Sequence, residues 1–313
     1  MSPNTIDTEA EAPARPVQQV GDRVFANVAL AAGVLILVVL AGVAVFLIAE
    51  AAPAVVAPAS ELPGGHSLFA YIAPLIFGTI LSAALALIVA TPLAVAVALF
   101  ITHFAPPRLA QTLGYLVDLL AAVPSLIYGL WGASVLGPAS VGLSTWLNEW
   151  FGWLPFFAGP VSATGRTMLT AGLVLAVMIL PIITAVTREV FVQTPRGQIE
   201  AALALGATRW EVVRTTVLPF GLSGYISGAM LGLGRALGET IALLIILRGT
   251  QKAFSWTLFD GGYTFASKIA ATASEFNDQY KAGAYIAAGL VLFILTFVVN
   301  SAARAAVAGR GAK

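Results

Sequence analysis

A run of 22 uncharged, mostly apolar residues, from Val28 to Ala49, restricts the fold of this chain more than any other sequence feature. About 20 such residues are enough to cross the hydrocarbon core of a bilayer as one helix. Other long apolar runs follow, the mean hydropathy is +0.91, and only 10% of the 313 residues are charged, against about 25% in soluble domains. Backbone groups in lipid must pair internally, as they do in helices. The sequence therefore excludes a soluble globular protein and predicts an all-α, polytopic membrane protein.

The apolar pattern predicts six membrane-spanning helices. Their expected ranges are 28–49, 69–102, 109–136, 167–186, 220–247 and 283–301. Residues 69–301 are thus expected to form one core with five spans after the first. Residues 1–27 are polar and rich in Pro, Ala and Glu, which predicts a disordered tail. The aromatic residues between 137 and 166 predict a segment that lies on, or dips into, one membrane surface.

The distribution of Lys and Arg predicts the orientation of these spans. Six spans place both termini on one side, and cytoplasmic loops carry an excess of Lys and Arg. The side of the termini has ten of these residues and the other side has five, with Arg235 inside a helix. The ten are Arg15, Arg23, Arg108, Arg188, Arg196, Arg209, Arg214, Arg304, Arg310 and Lys313. The five are Arg166, Arg248, Lys252, Lys268 and Lys281. Both termini and the loop 188–219 are therefore predicted to be cytoplasmic, although four of the outer cations lie in the loop 248–282.

Several patterns that carry covalent chemistry do not occur in this sequence. The chain has no Cys, which excludes disulfides and thiol nucleophiles. It has no Gly-x4-Gly-Lys-Ser/Thr nucleotide loop and no Gly-x-Ser-x-Gly or His-Glu-x2-His pattern. Its two histidines, His66 and His103, have no acidic residues around them at metal-ligand spacing. The sequence predicts no catalytic residue, metal site or cofactor, so any energy from ATP must come from another subunit.

The loop between the fourth and fifth predicted spans has a helical pattern on both sides of Gly206. Gly206 suits the left-handed position that ends a helix. Thr208 is placed to cap a second helix, because Glu211 follows it at the capping-box spacing. These signals predict a short helix–turn–helix parallel to the membrane. An ordinary interfacial hairpin between two spans would have the same pattern.

Small and charged residues share one face of the fifth predicted helix. At 100° per residue, Gly224, Gly228, Gly232, Arg235 and Glu239 fall within an arc of about 80°. Glycines four residues apart let a neighbouring helix approach closely, so this face is expected to pack against protein. Arg235 lies roughly 22 Å from the helix start at the helical rise, near the middle of the membrane. An ionisable residue there indicates function, and a guanidinium matches tetrahedral oxyanions, so we predict an anion path.

Other interpretations of these charges stay open. Arg235 and Glu239 are four residues apart and could simply neutralise each other, although apolar packing would replace such a pair without loss of stability. In an anion path, Glu239 would orient Arg235 or accept a proton-bearing oxygen. Asp118, in the third predicted helix, is either part of the path or a buried carboxylate bonded to a neighbouring helix or to Arg235. Ser125 and Tyr128 would line a pore or bond to helix carbonyls, as is usual in membrane helices.

The 188–219 loop resembles the EAA loop of ABC importer permeases. The matching residues are Glu200, Ala201, Ala202, Gly206, Leu218 and Pro219, and Thr216 stands where that pattern has Ile. The resemblance implies that Glu200–Gly206 is a coupling helix that docks into a groove of an ATPase subunit. It further implies that Ala201 and Ala202 allow the close approach and that Gly206 makes the bend.

Four segments are similar to phosphate ABC importer permeases of the PstC type. They are LVDLLAAVPSLIYGLWG (116–132), MILPIITAVTREVFVQTP (178–195), ATRWEVVRTTVLPF (207–220) and MLGLGRALGETIAL (230–243). With the six-span layout, the similarity covers roughly residues 70–305. It implies the type I importer permease (MetI-like) fold, with Arg235 and Glu239 in the phosphate path. Asp118 stands where that family has an acidic residue, often Glu.

The resemblance also implies a location and a set of partners. It places the chain in the bacterial inner membrane, beside a second permease subunit, with an ATPase dimer below and an extracytoplasmic phosphate-binding protein above. Alternating access, driven by ATP, would move inorganic phosphate inward. A permease for sulfate or molybdate is the alternative within the same class. An ion channel or ion-coupled carrier is an alternative from another class, and so is a membrane sensor; the 200–219 loop argues against a channel, which needs no ATPase dock.

Overall fold

The computed structural model describes residues 20–247, 256–276 and 278–308, and these ranges contain helices and no β-strand. The α-helices are α1 Val20–Val56, α2 Leu68–Leu99, α3 Pro107–Ala121, α4 Ser125–Trp131, α5 Gly137–Phe151, α6 Met168–Val192, α7 Arg196–Ala204, α8 Arg209–Val212, α9 Leu218–Phe220, α10 Leu222–Leu237, α11 Ile241–Ile246, α12 Phe265–Ala271 and α13 Gln279–Ala308. The expected tail, 1–27, lies mostly outside the described residues. Its last eight residues, 20–27, begin α1.

Three π-helical turns extend or join these helices. They are Phe100–Phe104 at the end of α2, Gly132–Leu136 between α4 and α5, and Val213–Val217 between α8 and α9. Because of the second turn, 125–151 is one continuous helix. The prediction of a single helix over 109–136 is therefore wrong. Its break precedes Pro124, since proline lacks an N–H and disfavours helical conformation in the residue before it.

Five helices are long and apolar enough to cross a membrane within the described residues. They are Gly21–Val56, Leu68–Phe104, Ser125–Phe151, Met168–Val192 and Gln279–Ala305. A sixth span is formed if Arg209–Phe220 and Leu222–Leu237 count together, because these two pass the same test only as a pair bent by 65°. The aromatic segment 137–166 differs from its expectation, since residues 137–151 continue a span.

The residues divide into a unit up to Ala49 and a larger unit from Glu50 onward. The centre of the larger unit is α6, in which Val174, Leu175, Ile179 and Ile183 have no exposed surface. α2 packs against α6 and carries fully buried alanines at every fourth position, at 86, 90, 94 and 98. Small side chains at this spacing let helix backbones approach closely. α6 therefore serves as the support on which α2 and α10 are placed.

Candidate functional site

The three glycines of α10 lie against α6. A Cβ atom added at Gly224 would be 2.4 Å from Val190 Cγ2, and one at Gly228 would be 3.3 Å from the Ile183 carbonyl oxygen. One at Gly232 would be 3.0 Å from two side-chain carbons of Ile183. No larger side chain fits at Gly224 without separating the helices, because the obstructing atoms belong to a β-branched valine. This face of α10 therefore packs on protein.

The helix that carries Arg235 ends two residues later, at Leu237. Gly238, Glu239 and Thr240 separate it from α11, so the prediction of one helix over 220–247 is wrong. Two local features end the helix here. Glycine weakens a helix. The Glu239 Oε1 atom also accepts a hydrogen bond from the Ala242 N–H, 3.1 Å away, in the first turn of α11. Glu239 is 8% exposed and does not continue the arc of the glycines.

Arg235 has a buried polar atom without a partner. Its Nε atom is buried and has no hydrogen-bond partner in the described part of the chain. No carboxylate oxygen of residues 20–247, 256–276 or 278–308 lies within 4.0 Å of the guanidinium. Arg235 and Glu239 are thus close in sequence but form no ion pair here, contrary to the interpretation that they neutralise each other. Burial of an unpaired donor is costly, so an unpaired arginine at a helix break indicates a ligand site.

The start of α4 lies beside this break. Tyr128 is 8% exposed and interacts electrostatically with Arg235, while its hydroxyl donates a hydrogen bond of 2.9 Å to the Leu120 carbonyl. A Cβ atom at Gly129 would be 2.7 Å from Ala242 Cα, so the backbones of α4 and α11 are in direct contact. Sequence reasoning overlooked Gly129, although two glycines three apart in YGLWG are a signal for close helix packing.

Asp118 does not pair with Arg235. Its Oδ2 atom is 3.6 Å from Arg188 Nη2, and the Asp118 side chain is 53% exposed against 25% for Arg188. Gly114, one turn earlier on α3, provides the room, because a Cβ there would be 2.5 Å from Arg188 Nη1. The structure therefore pairs Asp118 with the neighbouring helix α6, one of its two predicted partners, and it corrects the pairing with Arg235 and the description as a buried carboxylate.

The segment from α7 to α8 forms the expected helix–turn–helix. α7 ends with Gly206 at a φ of 87°, and the Ala207 N–H bonds to the Ala202 carbonyl across it. This geometry is a Schellman motif, which favours glycine at the left-handed position. Thr208 and Glu211 form a reciprocal capping box at the start of α8, as predicted.

The residues predicted to couple to an ATPase lie on α7 and in its turn. Glu200, Ala201 and Gly206 are exposed and Ala202 is half-buried. Leu205, at the turn, is 90% exposed. The segment therefore presents small and apolar groups outward on a locally rigid turn, which suits contact with another protein.

Known proteins resemble this chain in sequence and in fold. Residues 90–309 match the family model described as the binding-protein-dependent transport system inner membrane component. Phosphate transport system permease protein PstC 2 of Mycobacterium tuberculosis is 52% identical over 95% of this chain and 94% of its own length. Phosphate transport system permease protein PstC of Mycobacterium leprae is 57% identical over 80% of this chain and 79% of its own.

Two solved structures share the fold at 17% sequence identity. One is an inward-facing MetNI methionine ABC transporter, with a TM-score of 0.52 over 76% of this chain and 97% of that chain. The other is a bacterial ABC transporter that imports alginate, with a TM-score of 0.51 over 75% and 78%. The fold is therefore the MetI-like permease fold. The chain belongs to the binding-protein-dependent transport system inner membrane component family.

Proposed function

We propose that this chain is the permease subunit of an ATP-driven phosphate importer and forms part of its translocation path. The relatives that cover most of the chain at 52% and 57% identity are phosphate permeases. The single structural observation that carries the proposal is Arg235, a cation whose Nε is buried, with no partner among the described residues, at a break between two helices. Broken helices that hold unpaired polar groups are typical of transport sites.

Arg235 is the proposed phosphate-binding group. Its planar guanidinium offers two parallel N–H donors to two phosphate oxygens and keeps its charge at any physiological pH. Glu239, in the break, accepts a hydrogen bond from the Ala242 N–H through Oε1 and from no other group of the described residues. Its remaining acceptor sites suit the proton-bearing oxygen of hydrogen phosphate. Sulfate and molybdate offer no such proton, so this carboxylate favours phosphate.

Coupling to ATP hydrolysis is assigned to Glu200, Ala201, Ala202 and Gly206. Since the chain has no nucleotide loop of its own, we propose that α7 docks on a separate ATPase subunit. Docking needs a close approach, which the two alanines allow. A second permease subunit, an ATPase dimer and an extracytoplasmic phosphate-binding protein complete the proposed transporter. Both termini and the loop 188–219 lie on the cytoplasmic side in this proposal.

Substrate-dependent ATPase activity tests the proposed function. The full-length chain is co-purified with its partner subunits and reconstituted in lipid vesicles, and the phosphate-binding protein is added with phosphate, sulfate or molybdate inside its cleft. We expect ATP hydrolysis to be stimulated with phosphate alone. Equal stimulation by sulfate would assign the chain to another oxyanion, and ion flux without ATP would assign it to channels or ion-coupled carriers.

The coupling assignment has its own test. Ala202→Asp adds bulk and charge to a contact that needs a small residue, so the variant is expected to insert in the membrane but fail to co-purify with the ATPase. Gln198→Asp changes an exposed residue of the same helix before Glu200 and serves as the control. Normal co-purification of the Ala202 variant would contradict the dock.

Single cysteines test the orientation, because the chain has none of its own. Arg209→Cys is expected to resist an impermeant thiol reagent added outside intact cells, and Gly64→Cys is expected to react. Labelling in the opposite sense would place the loop 188–219 outside.

A further inference from the structure

A groove of about 620 Å³ lies between α10 and α13. This volume is within the range of small-molecule sites, about 300–1,000 Å³. On α10, its wall runs from Ile226 to Gly234, which is about 12 Å at the helical rise, and includes Met230 and Leu231. At 100° per residue, Ile226, Met230 and Gly234 face away from the α10 glycines that contact α6. The groove is therefore separate from the packing between α10 and α6.

The other wall of the groove is polar at the end of α13. Asn300 and Arg304 line it, one helical turn apart and so on the same face. No carboxylate lies within 4.0 Å of Arg304 in the described ranges, and the Asn300 amide has no hydrogen bond there. The sequence contains no acidic residue after Asp278, whereas Arg310 and Lys313 follow Arg304. Among the described residues, this end of α13 thus carries positive charge that no acidic side chain compensates.

The two helices that form the groove expose apolar side chains. Leu231 is 58% exposed on α10, and Ile294, Phe297 and Val298 are exposed on α13, which is one of the candidate spans. Apolar side chains on a spanning helix face hydrocarbon rather than water. Arg304 lies one residue before the end of that span, at the depth of lipid headgroups. An apolar channel that ends at a cation at this depth has the chemistry of an anionic phospholipid site.

We propose that this groove binds one anionic phospholipid, whose phosphate contacts Arg304 and Asn300 and whose acyl chain lies along Ile226, Met230 and Leu231. The uncompensated charge favours a lipid over an apolar protein surface, because a protein helix in this groove would have to desolvate Arg304 without supplying a partner. The site does not depend on the transported ion. The bound lipid would support the helix that carries Arg235, since Gly234 belongs to the same groove.

Native mass spectrometry of the full-length chain in detergent tests the site. The chain is incubated with phosphatidylglycerol or phosphatidylcholine, and the lipids retained per chain are counted. We expect one phosphatidylglycerol to be retained preferentially. Arg304→Ala should weaken its retention about fivefold, the equivalent of about 1 kcal/mol for one basic residue at a membrane surface. Arg23→Ala, which removes the same charge from α1, is the control and should have no effect.

A second variant acts on the apolar part of the groove. A Cβ atom at Gly234 meets nothing within 4 Å, so Gly234→Leu fills the groove without a clash and favours the helix. We expect it to lower phosphatidylglycerol retention while Arg304 remains in place. Gly142→Leu is the control, because a Cβ there also meets nothing within 4 Å but lies on α5, outside the groove.

Three results would overturn the lipid site. Equal retention of phosphatidylglycerol and phosphatidylcholine would show that no headgroup is recognised. Unchanged phosphatidylglycerol retention in both groove variants would place the lipid elsewhere. Failure of Arg304→Ala to co-purify with the partner subunits, with the lipid count of the chain unchanged, would show that protein covers the groove. Each variant must give as much folded chain as the wild type, measured by size-exclusion chromatography.

Discussion

Arg188 and Arg235 lie on two helices that pack against each other, yet their surroundings differ. Arg188 on α6 pairs with Asp118 at 3.6 Å, and Gly114 leaves room for its side chain. Arg235 on α10 has a buried Nε that no group in the described part of the chain bonds. The helices α6 and α10 are antiparallel. Their contacts place the two arginines about nine residues apart, or roughly 14 Å along the helix axis. The difference shows that one arginine has its counter-charge within the chain, whereas the other is available to a ligand.

The largest expected effect follows from removal of Arg235. Arg235→Ala should lower phosphate uptake at least about 30-fold, because truncating one partner of a buried charge contact costs about 2–5 kcal/mol. Assembly should survive, since the α10 glycines are unchanged. Arg188→Ala is the matched control and should retain most of the uptake. The measurement is phosphate uptake in a strain without other phosphate carriers, with membrane levels checked by immunoblot. Equal losses of phosphate uptake in the two variants would show that Arg235 and Arg188 do not differ in function.

Arg235→Lys tests whether Arg235 acts through its charge alone or also through its planar guanidinium. Lysine keeps the charge but lacks the planar fork, so uptake should lie between the wild type and Arg235→Ala if phosphate is bound bidentately. Initial uptake rates over a range of phosphate concentrations measure this. Wild-type rates at every concentration would show that charge alone is sufficient.

Joint replacement of the two charges at the break tests whether they are structural. Arg235→Gln with Glu239→Leu leaves no orphan charge, so the chain should still insert and assemble. Uptake should nevertheless be lost, because the anion has no partner. The assay is the same uptake measurement with immunoblot. Near-normal uptake would show that Arg235 only holds helices together, and Arg235 and Arg188 would then not differ in function.

A smaller effect is expected from the packing of α10 against α6. Gly224→Ala places a Cβ within 2.6 Å of three side-chain atoms of Val190. Overpacking of this kind costs about 1–3 kcal/mol, so thermal unfolding in detergent should shift to lower temperature. Gly234→Ala on the same helix meets open space and is the control. Equal unfolding temperatures would mean that α10 and α6 can separate without loss.

The smallest effect is expected at the paired arginine. Asp118→Asn removes an ion pair whose carboxylate is 53% exposed, and exposed pairs contribute about 0–1 kcal/mol. Uptake should stay within about fivefold of the wild type at that energy. A loss comparable with that of Arg235→Ala would instead assign Asp118 to the phosphate path, in agreement with the resemblance.

The sequence predicted best what depends on neighbouring residues. Gly206 ends α7 and Thr208 caps α8 because their signals lie within one turn of the feature they produce. The positions of Asp118 and Glu239 depend on features that neighbouring residues do not reveal. The partner of Asp118 is 70 residues away in the chain, and no periodicity indicates it. Glu239 left its predicted arc because the helix ended first, and one turn of uncertainty in a helix end changes which residues share a face.

The gap between α10 and α11 has an electrostatic consequence. A helix carries a partial negative charge at its carboxyl end and a partial positive charge at its amino end. Arg235 lies in the last turn of α10, and Glu239 bonds to the first turn of α11. Each side chain is therefore next to the helix end of opposite sign. The two backbone dipoles stabilise both charges without joining them to each other, so a phosphate that reaches Arg235 does not first have to break an ion pair.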